Sequence, residues 1–160
     1  MSETIDGELR TLLDEAAIGR LLKRYARALD ERNFAAFASI FTPDALLDFS
    51  KVGGPAASHP EIAAWLSEAL GQVPELQHFT TNIEIDLAGD HATGKSYTLS
   101  ISATPLEGGT LGHMVMGAQY LDEFVRTADG WRISARREEG LTVFGHRFGP
   151  KPPDDTSQAA

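Results

Sequence analysis

No cysteine occurs in the 160 residues, which removes disulfides, thiolate nucleophiles and cysteine-held metal or iron–sulfur centres together. Positive charge is scarce: 14 Lys and Arg stand against 23 Asp and Glu, a net charge of −9. A nucleic-acid backbone or an anionic membrane surface rewards clustered basic residues, so neither is expected as a partner. There is no apolar run long enough to cross a bilayer and no signal-type opening segment, and a cytoplasmic location is expected. What is present is 42% hydrophobic content in a length that suits one sizeable core. A single domain over residues 1–148 is expected, followed by a tail at 149–160 too poor in carbon to pack and expected to be disordered.

The first half reads as helix. Residues 1–7 form a polar lead-in, and the Leu13-Asp14-Glu15 step predicts the start of a main helix running to about Arg32, with Asp14 as its cap. Asn33 is placed to cap a short second helix carrying Phe34 and Phe37, stopped at Thr42-Pro43-Asp44. Residues 45–49 predict a short strand and 52–57 a Gly/Pro loop. Ser58-His59-Pro60-Glu61 has capping-box spacing and predicts a third helix over 62–70. In the second half the period changes. Runs at 76–87, 92–103, 111–126 and 131–143 are rich in β-branched and aromatic residues and are separated by Gly-containing turns, the pattern of long antiparallel strands. Helices followed by a meander give an α+β fold in which a curved sheet wraps the helices.

The main helix carries one residue that does not suit burial. Ile18, Leu21, Leu22, Tyr25, Ala26 and Leu29 form an apolar stripe, and Asp30 falls at its edge. A partly desolvated carboxylate needs a partner, and His78, in Gln77-His78-Phe79-Thr80-Thr81-Asn82, is the best candidate. A neutral imidazole is suited to take a proton from carbon, and a carboxylate on its other nitrogen fixes the tautomer and stabilises the imidazolium. With no nucleophile evident beside the pair, proton abstraction followed by elimination, isomerisation or cyclisation is favoured over acyl transfer.

Tyr25-x4-Asp30, Phe41-Thr42-x-Asp44, the 78–82 segment and Gly117-x2-Tyr120-x-Asp122-x3-Arg126, closed by Asp129-Gly130-Trp131-Arg132-Ile133, together resemble the SnoaL-like branch of the NTF2-like superfamily over residues 8–145. The resemblance implies a cone-shaped α+β barrel with a deep apolar pocket between the long helix and the concave sheet. Within the branch the chain looks most like bile-acid 7α-dehydratase, scytalone dehydratase and hexachlorocyclohexane dehydrochlorinase. It implies Asp30 and His78 as the catalytic dyad, working without cofactor or metal on an apolar, polycyclic or aromatic small molecule, in a dimer or trimer built through the sheet. It also favours a function for Tyr25 as a contact to the leaving group, against a plain core tyrosine. Asn82, His113 and Arg136 are weaker candidates for positioning substrate. His113 stands even between the pocket and a satisfied sheet position, and the commoner fate of Arg136 is a surface pair with Glu138 or Glu139. Phe34, Trp65 and Met116 are read as core or pocket lining. Where some dehydratases of this type carry a tyrosine on the strand after the second helix, Phe49 stands here. A polyketide-type cyclase or isomerase remains open, as does a binding module or the β-subunit of a ring-hydroxylating dioxygenase.

Overall fold

The computed structural model describes residues 2–105 and 111–145. Its elements in order are α1 (Ser2–Asp30), α2 (Phe34–Ala38), β1 (Phe41–Asp48), a 3-10 turn (Ser50–Val52), β2 (Ala56–Ser58), α3 (His59–Leu70), β3 (Glu75–Ala88), β4 (His91–Pro105), β5 (Leu111–Thr127) and β6 (Gly130–Gly145). The strands form one sheet in the order β2-β1-β6-β5-β4-β3, antiparallel throughout except that β1 runs parallel to β6. The fold is α+β, with the helices lying against the inner face of the curved, unclosed sheet. His146 and the predicted disordered tail at 149–160 lie outside the described residues.

Local chemistry accounts for most boundaries. The Asn33 side chain accepts the Ala36 N–H at 3.0 Å and caps α2, and Glu61 accepts from the Ser58 N–H at 3.1 Å to close the box on α3. Pro43 falls where β1 loses step with β6: Phe41 pairs with Ile133 but Leu46 pairs with Ala135, so the proline sits in a bulge and no ladder bond is lost to it. The strand therefore starts at Phe41, earlier than the predicted 45–49 segment, and the end of the predicted Gly/Pro loop at 56–57 is part of β2.

The main helix does not begin at Asp14. It is continuous from Ser2, and Asp14 lies within it, where its carboxylate takes both Arg126 guanidinium nitrogens, at 2.8 and 2.5 Å, and the Trp131 indole N–H at 3.1 Å. That clamp ties α1 to β5 and β6 and, chiefly through the Arg126 hydrogen bonds, holds the Asp14 carboxyl below its ordinary range. Before Asp14 the apolar positions Ile5, Leu9, Leu12 and Leu13 are exposed. After it, Ile18, Leu21, Leu22, Tyr25, Ala28 and Leu29 enter a core shared with Phe37, Ile40, Phe41, Phe124, Trp131 and Ile133.

Register sets Leu99 and Ile101 on the opposite face of the sheet from Met114, Met116 and Tyr120. Leu99 pairs with Gly117 and Ile101 with Val115, whereas Met114, Met116 and Tyr120 lie opposite Ser102, Ser100 and Ser96 on the inner face. Consequently β4 is inverted: Ser96, Thr98, Ser100 and Ser102 are buried while Tyr97, Leu99 and Ile101 are exposed.

Candidate active site

α1 ends beside the start of β3. Arg32, in a left-handed backbone conformation with φ 52°, donates to the carbonyls of Leu70 and Val73, which holds the segment entering β3 against the helix end. His78 is thereby set beside Asp30. Its backbone N–H donates to both Asp30 carboxylate oxygens, at 3.0 and 3.1 Å, and its Nδ1 lies 2.7 Å from Oδ1. With Nδ1 donating to the Asp30 carboxylate, the Nε2 lone pair is left facing away from it as the basic position of the neutral ring. The side chains are 12% and 24% exposed, close enough to solvent to exchange protons and dry enough to hold their geometry.

The other predicted positions divide. Tyr25 is fully buried, packed 5.6 Å from Phe37, 6.2 Å from Phe41 and 5.7 Å from Tyr120. Phe49 is buried against Trp65, with centroids 6.1 Å apart, and Phe34 packs on Phe37. Gly54 is what lets Trp65 lie there, since a Cβ would sit 2.8 Å from its ring. Met116 stands on the inner face opposite Ser100, the neighbour of His78 in the β3–β4 ladder.

Two positions fall away from the inner face. Asn82 is exposed in a bulge of the edge strand β3, with φ 49° and its Oδ1 accepting from Thr81 at 2.9 Å; it serves the bend, since asparagine tolerates the left-handed region. His113 pairs with Ala103 at an outward position and is exposed, and with Asp30, Arg32 and Ser102 it lines a cleft of about 540 Å³. Asp30, His78 and His113 thus do not form a metal set, and no cluster of three or more His, Asp or Glu able to hold a metal occurs among the described residues. A groove of about 590 Å³ runs past Leu46, Glu84, Lys95 and Arg137 on the outer face, and neither Asp30 nor His78 lines it.

Arg136 corrects the surface pairing expected of it. The exposed pair is made by its neighbour, Arg137 with Glu139 at 2.7 Å. Arg136 faces inward with its side chain 0% exposed, bidentate to Asp122 at 2.7 and 2.8 Å, and its guanidinium lies 4.1 Å from the Tyr25 ring centroid and 4.0 Å from that of Tyr120. Burial pulls its pKa down, but the Asp122 charge and hydrogen bonds outweigh this and hold it above the ordinary arginine value. Burial likewise raises the Tyr25 and Tyr120 hydroxyls.

Glu138 completes the inner group. It is 6% exposed, and burial, only partly offset by Arg136, pushes its carboxyl up to about 7 from an ordinary 4.5. Because the folded value is raised, the unfolded chain releases this proton first, and stability falls as pH rises from about 4.5 to about 7. The fall is expected to reach roughly 3 kcal/mol. Glu138→Gln should flatten it, as read by urea denaturation across that range. Parallel wild-type and variant curves would show that water reaches the carboxylate.

The SnoaL-like domain model matches residues 10–137. The uncharacterized protein Rv2910c of Mycobacterium tuberculosis is 37% identical over 125 residues, covering 78% of this chain and 84% of that one. A type 2 hexachlorocyclohexane dehydrochlorinase, LinA, superposes with TM-score 0.74 at 22% identity, covering 92% of this chain and 99% of that one. A putative scytalone dehydratase from Novosphingobium aromaticivorans superposes with TM-score 0.73 at 20% identity, covering 97% and 98%. At these identities the two structures speak for the fold, and the domain match, spanning most of the chain, speaks for descent. The chain belongs to the SnoaL-like domain family.

Proposed function

We propose that the protein is a cofactor-independent acid/base lyase, a dehydratase or related β-eliminating enzyme, acting on an apolar polycyclic or aromatic small molecule. The carrying observation is the Asp30–His78 contact, in which one carboxylate holds both the backbone N–H and Nδ1 of the histidine. In this reading Nε2 removes a proton from carbon next to an electron-withdrawing group, the electron pair forms the new double bond, and the leaving hydroxide or halide departs from the adjacent carbon. Imidazolium then returns the proton to the departing oxygen or to water, and Asp30 stabilises that cation. Tyr25 and Arg136 supply polar atoms to the same inner face, and Phe34, Phe49, Trp65 and Met116 supply apolar surface. The dehydrochlorinase and dehydratase names borne by fold neighbours agree with elimination as the reaction class. The test is incubation with a panel of apolar β-hydroxy ketones and with hexachlorocyclohexane, following loss of water by mass spectrometry and release of chloride. Alkene formation by wild type and its loss in His78→Ala are expected. An unreactive panel bound without turnover would favour a binding module.

The same reading includes a homo-oligomer formed through the outer sheet face. Phe79, Tyr97, Leu99, Ile101, Leu111 and Phe144 are exposed there. A patch of this kind exceeds what a monomer ordinarily leaves wet. Sedimentation is expected to give a dimer or trimer at micromolar concentration, and a 17.3 kDa species would overturn the assembly.

A further inference from the structure

The proposed proton transfer is carried by Asp30 and His78, while other polar atoms of the inner face have no hydrogen-bond partner among the described residues. Tyr25 Oη, Ser96 Oγ and Arg136 Nη1 are buried with no hydrogen-bond partner among the described residues. Tyr120 and Arg136 are the near neighbours of the Tyr25 hydroxyl, but neither contact reaches hydrogen-bond geometry. Glu138 is buried, and among the described residues no hydrogen bond reaches its carboxyl.

These groups are contiguous. Ser96 lies directly opposite Tyr120, and Tyr120 directly opposite Glu138, so the three share one inner row. Arg136 is two residues before Glu138 on the same strand, and its guanidinium lies close to the ring centroids of both Tyr25 and Tyr120, at 4.1 and 4.0 Å. Isolated buried polar atoms without partners are uncommon because each forfeits its hydration. Three adjoining ones, beside the buried carboxyl of Glu138, mark a place built to receive a partner. Along β4 the hydroxyls of Ser96, Thr98 and Ser100 lead from this row to the one that holds His78, four residues or about 13 Å away. That span suits a polycyclic ligand reaching from one end to the other.

The donor and acceptor balance defines what fits. Arg136 Nη1 only donates, Glu138 accepts or donates with its proton, and the two hydroxyls do either. The Arg136 charge is already matched by Asp122. A carboxylate or phosphate would therefore meet Glu138 with no spare positive charge, whereas a hydroxyl can accept from Arg136 and donate to Glu138. We propose that Tyr25, Ser96, Arg136 and Glu138 form a subsite for an uncharged hydroxyl at the end of the ligand remote from His78. This rests on the inner face being the small-molecule pocket.

The test compares binding of 2-naphthol and naphthalene by calorimetry to wild type, Glu138→Leu, Ser96→Ala and His78→Ala. Leucine at 138 removes an unpaired buried carboxyl and should fold, and Ser96→Ala is the smaller second probe, each checked by near-UV circular dichroism. Wild type is expected to prefer 2-naphthol by about tenfold or more, and either subsite variant to cut the preference below about threefold. His78→Ala should leave it unchanged. Equal binding to wild type, no binding of either compound, or a preference that survives both subsite variants would overturn the subsite. A preference lost in His78→Ala but kept in Glu138→Leu would place hydroxyl recognition at Asp30–His78, sinking the subsite and leaving the lyase reading intact. Turnover surviving in His78→Ala with the naphthol preference intact would do the reverse.

Discussion

Asp122→Ala is expected to destabilise the fold by about 3–5 kcal/mol, and to unfold it outright if its total stability is at the low end of the usual range. The reason is the charge left behind. Arg136 cannot shed its proton, both side chains are within 1% of complete burial, and the two tyrosine rings beside the guanidinium offer a π surface but no counter-ion. Urea denaturation of the purified variant reads the loss. The double variant Asp122→Leu with Arg136→Met should recover most of it, because replacing a buried pair by apolar groups of similar volume removes the desolvation cost along with the attraction. A loss below about 1 kcal/mol for Asp122→Ala, the range of exposed pairs, would mean that water reaches the guanidinium.

How much of this was legible follows from which signals are local. Caps and hairpins are written in adjacent residues, so Asn33, the Ser58–Glu61 box and the bounds of β3 to β6 were read to within about two residues. The Asp30–His78 contact came from one misplaced carboxylate on an apolar stripe, and the structure brings the two together. Asp14 misled because a carboxylate before an apolar run is a capping signal, and its real partners, Arg126 and Trp131, are over a hundred residues away. The inversion of β4 was hidden for a deeper reason. Alternation in Ser96-Tyr97-Thr98-Leu99-Ser100-Ile101 gives the period but not the face, and the default that apolar residues point inward fails in β4, whose buried row is hydroxyls and whose exposed row is apolar. Arg136 is named as a candidate for positioning substrate, but its burial is hidden for the same reason: which parity of β6 faces inward depends on pairing with β5, and one step away Arg137 has the surface partner expected of Arg136. The motif containing Tyr120 and Asp122 was visible, but not that Asp122 lies opposite Arg136.

Asp30→Asn is expected to lower kcat/KM for a confirmed substrate by roughly 10²–10⁴-fold, comparable to His78→Ala, although asparagine is nearly the same shape. The argument is in the proton positions. Asp30 presents two acceptor oxygens to two donors of one residue, the His78 backbone N–H and Nδ1–H. Asparagine keeps a single acceptor. If its oxygen stays on both donors, its amide nitrogen faces the backbone N–H, donor against donor, where Oδ2 had been 3.1 Å away. If the amide flips, the oxygen satisfies the backbone and the nitrogen donates to Nδ1, which forces the proton onto Nε2 and removes the lone pair that would act as base. Either arrangement also loses the negative charge that stabilises imidazolium. Nitrogen-15 NMR of the ring separates the causes: a switch of the protonated nitrogen to Nε2, with circular dichroism unchanged, is the expected signature. A variant that keeps activity within about threefold of wild type would show that the Asp30 charge does not limit the chemistry, and would leave its carboxylate as a clamp joining α1 to β3.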